Sequence, residues 1–204
     1  MPIHKKYNAP HNTQLLIWHI TEDEDVLCEG IQLSKLCISR LDQMKSEVHR
    51  RGFLSVRQLL NVAGYTPNAL SYDEFGKPHL ADGKYISISH SHAFSAIAIG
   101  DRPLGVDIEL ERPKVHRIAS KFLHPSELTT NASDRFRTSQ WCIKEAAYKA
   151  LGKKGIRFLH DIRVLNMDTE NPIAQVTFQD ATMLLKNWLY FWKDYSCALA
   201  IKTK

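Results

Sequence analysis

Asp107 and Glu109 are two carboxylates one residue apart in the run Gly105-Val106-Asp107-Ile108-Glu109, an apolar stretch bounded by Pro103 and Pro113. Such a stretch suits a β-strand, whose side chains alternate between faces, so both carboxylates point into one space. Like charges that close repel unless a cation lies between them. Hard oxygen donors with room left for water and phosphate favour Mg²⁺, with Mn²⁺ as its substitute. A second cluster, Trp141-Cys142-Ile143-Lys144-Glu145-Ala146-Ala147-Tyr148-Lys149, is rich in Ala, Lys and Glu and has no Gly or Pro within it, so it reads as helix. Trp141, Glu145 and Lys149 then share a face at i, i+4 and i+8. Together the clusters supply an aromatic anchor, three carboxylates and a cation, the groups a divalent metal and a phosphate require. Taken singly, Asp-x-Glu is commonly a solvated strand edge and a Glu/Lys pair four apart a surface ion pair of small value; the weight lies in their combination.

Two further stretches precede these clusters: Ser87-Ile88-Ser89-His90-Ser91 the first, and Lys121-Phe122-Leu123-His124-Pro125-Ser126-Glu127-Leu128 the second. Four pieces in this order resemble the larger, pseudo-dimeric class of 4′-phosphopantetheinyl transferases, the surfactin-synthetase-activator type. The resemblance runs from about Arg51 to Gly155. It implies transfer of the phosphopantetheine arm of coenzyme A to a serine of an acyl or peptidyl carrier protein, with release of 3′,5′-ADP. It also implies two similar halves related by a pseudo-twofold, and a site carried by a single chain working as a monomer.

By that resemblance Asp107, Glu109 and Glu145 match metal-ligand positions, and Glu145 is ligand, general base or both. Lys149 matches a lysine that meets the phosphates. His90, with Ser89 beside it, matches a phosphate-contacting histidine; the alternative is a histidine hydrogen-bonded locally at a strand end. Lys77, in Phe75-Gly76-Lys77-Pro78, resembles a lysine at the nucleotide end of coenzyme A, and Arg57 falls near an arginine for the 3′-phosphate, a bidentate task. Ser55-Val56 before Arg57 departs from the family wording, and long Arg side chains also simply cover helix surface. Further candidates are Arg51, Lys144 and Glu127, the last equally explained as a carboxylate at a helix start. Lys153 and Lys154, bracketed by Gly152 and Gly155, complete them as a basic turn that could approach the pantetheine arm or the carrier protein.

The elements that must position these residues follow from periodicity. Strands are expected at 14–20, 85–89, 94–99, 104–109, 162–165, 174–178, 188–192 and 196–201. Helices are expected at 22–27, 41–63, 115–123 and 133–151, with a loop over 65–83. Helices followed by antiparallel strands, twice over, predict an α+β fold, and the resemblance implies its division into halves 1–110 and 111–204. Lys and Arg number 27 against 22 Asp and Glu among 204 residues. That modest basic excess suits anionic ligands. No basic stripe with interleaved aromatics points to nucleic acid, and no apolar run approaches a membrane span. Residues 1–10 are polar and basic without an apolar core of the export type, and four scattered cysteines suit reduced thiols, so a cytoplasmic location is expected. Two other classes fit the same residues: another Mg²⁺-dependent phosphoryl-transfer enzyme or phosphodiesterase, and a non-catalytic anion-binding protein.

Overall fold

The computed structural model describes residues 3–203 and divides into two compact units, Met1–Asp101 and Arg102–Lys204. The first unit contains β1 (Ile3–Ala9), β2 (Thr13–His19), α1 (Glu24–Cys28), α2 (Lys35–Asp42), α3 (Glu47–Val62), β3 (Leu70–Tyr72), β4 (Pro78–Leu80), β5 (Tyr85–Ser91) and β6 (Phe94–Gly100). The second contains β7 (Leu104–Leu110), α4 (Lys114–Phe122), α5 (Asp134–Leu151), α6 (Phe158–Asp161), β8 (Ile162–Leu165), β9 (Ile173–Phe178), β10 (Ala181–Trp192) and β11 (Tyr195–Lys202). All strand pairs are antiparallel.

Sheet order is β1-β2-β6-β5-β4-β3 in one unit and β7-β11-β10-β9-β8 in the other. Each therefore repeats one plan: a strand (β2 or β7), helices, then a four-strand meander whose last strand returns beside it, with β1 added at the edge of the first unit. The α+β expectation is met twice. The division falls at Asp101 rather than after residue 110, because β7 pairs with β11, Asp107 opposite Ala198 and Glu109 opposite Ser196. The two strand carboxylates thus belong with the second half of the chain and not, as expected, with the first.

Several elements depart from their expected bounds. The polar start of the chain forms the edge strand β1, whose half-exposed pattern needs no apolar run. The expected helix over 41–63 is two helices. Ser34 caps α2 by accepting from the Cys37 amide, and the chain leaves helical form after Asp42 before α3 starts at Glu47. The expected loop holds β3 and β4 around a turn in which Asp73 accepts the amides of Phe75 and Lys77. β10 begins seven residues earlier than expected, through Lys186 and the fully buried Asn187.

In the first unit α3 lays Phe53, Leu54, Val56, Leu59 and Leu60 against Leu16, Trp18, Ile97 and Ile86. In the second, Cys142, Ile143, Ala146, Ala147 and Ala150 of α5 pack on Val176, Leu185, Ala198 and Ala200. α5 is capped at both ends: Ser133 Oγ accepts from the Phe136 amide, and Gly152 adopts the left-handed conformation at φ 60°. No helix among the described residues is long and apolar enough to cross a membrane.

The approach of β7 to α5 is limited by one residue. A Cβ built on Gly105 would stand 1.9 Å from the Ala146 carbonyl oxygen and 2.7 Å from the Ala150 amide nitrogen, both backbone atoms that cannot rotate away. Gly105→Ala is expected to lower stability by about 2 kcal/mol or more, the cost of overpacking against rigid backbone. Denaturant unfolding measures it, and an unchanged midpoint would mean that strand and helix do not meet this closely.

Candidate functional site

In β7 Gly105, Asp107 and Glu109 share one face and Leu104, Val106 and Ile108 the other, and the close approach at Gly105 identifies the first face as the one turned to α5. Asp107 is 3% exposed and accepts a 2.7 Å hydrogen bond at Oδ1 from Lys149 Nζ, which also donates to the Val106 carbonyl at 3.2 Å. Glu109 is half-buried and lines a cavity of about 170 Å³ with Arg112, Lys114, Ile118, Thr138 and Trp141. Glu145, one turn before Lys149 on α5, lines a cavity of about 410 Å³ with Ile118, Lys121, Phe122, Trp141 and Phe158. Trp141 packs edge-on against Phe122 and tilted against Phe158, at centroid separations of 5.0 and 5.5 Å. The expected sharing of one helix face is thus met.

The electrostatics of this face are those of a cation-seeking site. Burial, then the Asp107 charge, with a smaller part from Glu109, push the Glu145 carboxyl up from 4.5 to about 7 against the opposing pull of Lys149. Burial works against the Lys149 ammonium too, yet the Asp107 carboxylate beside it outweighs that and raises its pKa. The charges that act on Glu145, Asp107 and Glu109 against Lys149, thus sum to a negative field there.

That field is the test of whether Mg²⁺ fits. The donors are all hard oxygens, the field disfavours ionisation of Glu145, and a divalent cation would relieve it. Among the described residues no three His, Cys, Asp or Glu side chains stand close enough to hold an ion as placed. To hold one ion together, the three carboxylates would have to turn toward one another.

In the first unit a cavity of about 390 Å³ is lined by Arg40, Met44, His49, Phe53, Val56, Arg57, Tyr72, Ile88 and His90. Arg57 is 3% exposed, with its guanidinium 3.3 Å from the centre of the Phe53 ring, and donates to the Phe53 carbonyl and the Tyr72 hydroxyl. Its Nε has no protein partner among the described residues, so a buried cation retains unused hydrogen-bonding capacity beside a cavity. The His90 ring lies over Gly52, where an added Cβ would come within 3.4 Å, and faces His49 at 6.3 Å.

Of the residues singled out in the sequence, Arg57 and His90 meet in the first unit, and Asp107, Glu109, Glu145 and Lys149 in the second. Ser89 lies on the opposite face of β5 from His90. Lys77 closes the Asp73 turn, where burial lowers its pKa despite the Asp73 charge. Arg51 reaches Glu47 and the Ile20 carbonyl. Lys153 and Lys154 are exposed beyond α5. Glu127 and Lys144 form a buried ion pair at 2.7 Å, with side chains 4% and 0% exposed. Arg40, His49 and Tyr72 were not anticipated. His49, Phe53 and Arg57 stand at i, i+4 and i+8 on α3, a pattern that could have drawn attention to His49.

Residues 103–200 match the 4′-phosphopantetheinyl transferase superfamily. The chain is 28% identical to a 4′-phosphopantetheinyl transferase of Bacillus subtilis over 145 residues, covering 64% of each chain. It is 36% identical to the 4′-phosphopantetheinyl transferase gsp of Aneurinibacillus migulanus over 111 residues, covering 50% of this chain and 47% of that one. Both alignments span less than two thirds of the relative's length. The superfamily match covers β7, α5 and most of β11, the elements that carry Asp107, Glu109, Glu145 and Lys149, so it is the second unit that is similar to the 4′-phosphopantetheinyl transferase superfamily.

Proposed function

We propose that the protein transfers the 4′-phosphopantetheine arm of coenzyme A to a serine of an acyl or peptidyl carrier protein, releasing 3′,5′-ADP. The observation that carries this reading is the clustering, on facing surfaces of β7 and α5, of Asp107, Glu109, Glu145 and Lys149 within a region that matches the superfamily. Asp107, Glu109 and Glu145 would hold Mg²⁺, which when bound neutralises charge on the pyrophosphate. Lys149, kept cationic by Asp107, meets the phosphate as a compact point charge. Glu145 opens on the larger cavity and is the carboxylate placed to take the proton of the attacking serine. In the first unit the buried Arg57 and the exposed His90 suit the 3′-phosphate and nucleotide of coenzyme A, with Arg40, His49 and Tyr72 around them. The enzyme works as a monomer in the cytoplasm, a compartment that suits its four free cysteines.

Intact-mass analysis of apo carrier proteins incubated with coenzyme A and Mg²⁺ tests the activity. The expected result is a phosphopantetheine adduct that a chelator prevents; no adduct on any carrier would overturn the reading. Asp107→Asn and Glu145→Gln should each lower turnover about a hundredfold, the scale of losing one transition-state charge stabiliser.

The same carboxylate has a signature in stability. A carboxyl raised in the folded state is at no disadvantage below its unfolded value of 4.5, and its relative stability is lost as pH rises through about 7. The ionised form then costs the metal-free fold on the order of 3 kcal/mol. Glu145→Gln should therefore raise the Tm of the metal-free protein by ~5 °C at pH 8 and leave it nearly unchanged at pH 4. Equal effects at both pH values would contradict the field described above.

Arg57→Met, which keeps the aliphatic stem against Phe53, should raise KM for coenzyme A by roughly ten- to a hundredfold, the value of a charge-assisted hydrogen bond. It should leave KM for dephospho-coenzyme A unaltered. Parallel losses for both substrates would remove Arg57 from the 3′-phosphate.

A further inference from the structure

Lys144 precedes Glu145 on α5, and its side chain is wholly buried. Four oxygens surround the ammonium: the Phe122 carbonyl at 2.8 Å, Glu127 Oε2 at 2.7 Å, the Phe158 carbonyl at 3.0 Å and the Ile162 carbonyl at 2.8 Å. Glu127 is held in turn by the amides of His124 and Val164, at 2.7 and 2.8 Å. Phe122 is the last residue of α4 and Phe158 the first of the single-turn α6. A carbonyl in the last turn of a helix lacks an intrahelical partner, so the ammonium supplies α4 with a bond it would otherwise miss.

The two phenylalanines whose backbones meet Lys144 are also the two whose rings flank Trp141, and all three line the cavity that Glu145 faces. One cation on α5 thus grips the ends of two short helices that wall the space in front of the next residue. Stability alone gives no reason for a charge here, since a buried ion pair is commonly no more stable than apolar residues of the same volume. What an apolar residue cannot supply is directed donors to three separate carbonyls.

We propose that Lys144 is a positioning residue, which sets the spacing of the Phe122 and Phe158 walls around Trp141 and thereby the shape of the cavity at Glu145. Its effect on turnover rests on the transfer reaction proposed above; its effect on the cavity does not.

The test removes both charges together, so that neither partner is left buried and unpaired. Lys144→Met with Glu127→Leu is expected to keep the circular dichroism of the fold. Its kcat should fall at least about tenfold, as misplaced reacting groups do, with KM for coenzyme A within about twofold. In a Trp18→Phe, Trp188→Phe, Trp192→Phe background, the double substitution should make Trp141 emission about twice as quenchable by acrylamide, as loosened walls admit quencher. A folded double variant with unchanged kcat and unchanged Trp141 quenching would overturn the proposal. Should the apolar pair not fold, Lys144→Gln with Glu127→Gln decides, because it removes the charges and keeps donors. Near-native kcat and quenching in that variant are expected, and a tenfold loss of kcat with the fold intact would overturn the proposal. If the unaltered protein transfers no phosphopantetheine, the activity reading fails, and Trp141 quenching still decides the role of Lys144.

Discussion

The close approach of β7 to α5 is the constraint on which the chemistry of the second unit depends. Strand and helix backbones can lie this near only because Gly105 has no side chain to meet the Ala146 carbonyl. The helix surface that meets the sheet is correspondingly made of Ala146, Ala147 and Ala150, side chains with little volume to hold the layers apart. That nearness puts Lys149 Nζ within 2.7 Å of a carboxylate on the strand and brings the Asp107 and Glu109 charges to bear on Glu145. A larger residue at position 105 would act on the site through distance alone.

Much of this unit was legible in the sequence because it is built on strict periodicities. The two-residue repeat of β7 puts Asp107 and Glu109 on one face, and the four-residue steps of α5 put Trp141, Glu145 and Lys149 on another. α5 runs 134–151 against an expected 133–151, since the Ser133 cap and the Gly152 terminator are local signals. Less legible was whatever depends on register between distant strands. Nothing near Leu110 announces that β7 completes the second sheet, because its partner β11 lies some ninety residues on. β1 and the start of β10 were hidden because an edge strand and a strand carrying the buried Asn187, whose Nδ2 donates to the Pro172 and Leu185 carbonyls, both break the apolar alternation.

The first unit shows a different limit. His90 carried recognisable wording and Arg57 a position near a family arginine, whereas Arg40, His49 and Tyr72 carried neither. They line the cavity because α2 ends beside β3, where the Arg40 guanidinium lies 4.2 Å from the centre of the Tyr72 ring. That contact joins two segments whose sequences, a short helix and a three-residue strand, look like loop. Cavities assembled from such pieces are tertiary facts, and a pattern read along the chain has no access to them. Ser89 fails for the converse reason: adjacency to His90 in sequence guarantees, in a strand, the opposite face.

Lys144 and Lys149 make the same point about chemical identity. They are the same residue type, five positions apart on one helix, each in contact with one carboxylate. Burial dominates at Lys144 and lowers its pKa even with Glu127 beside it, whereas Asp107 outweighs burial at Lys149 and raises it. Burial opposes both ammoniums, and the difference follows from the neighbouring charges: Lys144 has Glu127 on one side and the opposing Arg163 on the other, while Lys149 has both Asp107 and Glu145. A sealed, fully coordinated ammonium can hold structure but cannot reach a ligand. In the transfer reaction proposed above, an ammonium paired to only one of the carboxylates in its field is the one that would turn to a phosphate. The helix thus divides structure from chemistry between two lysines by what surrounds each.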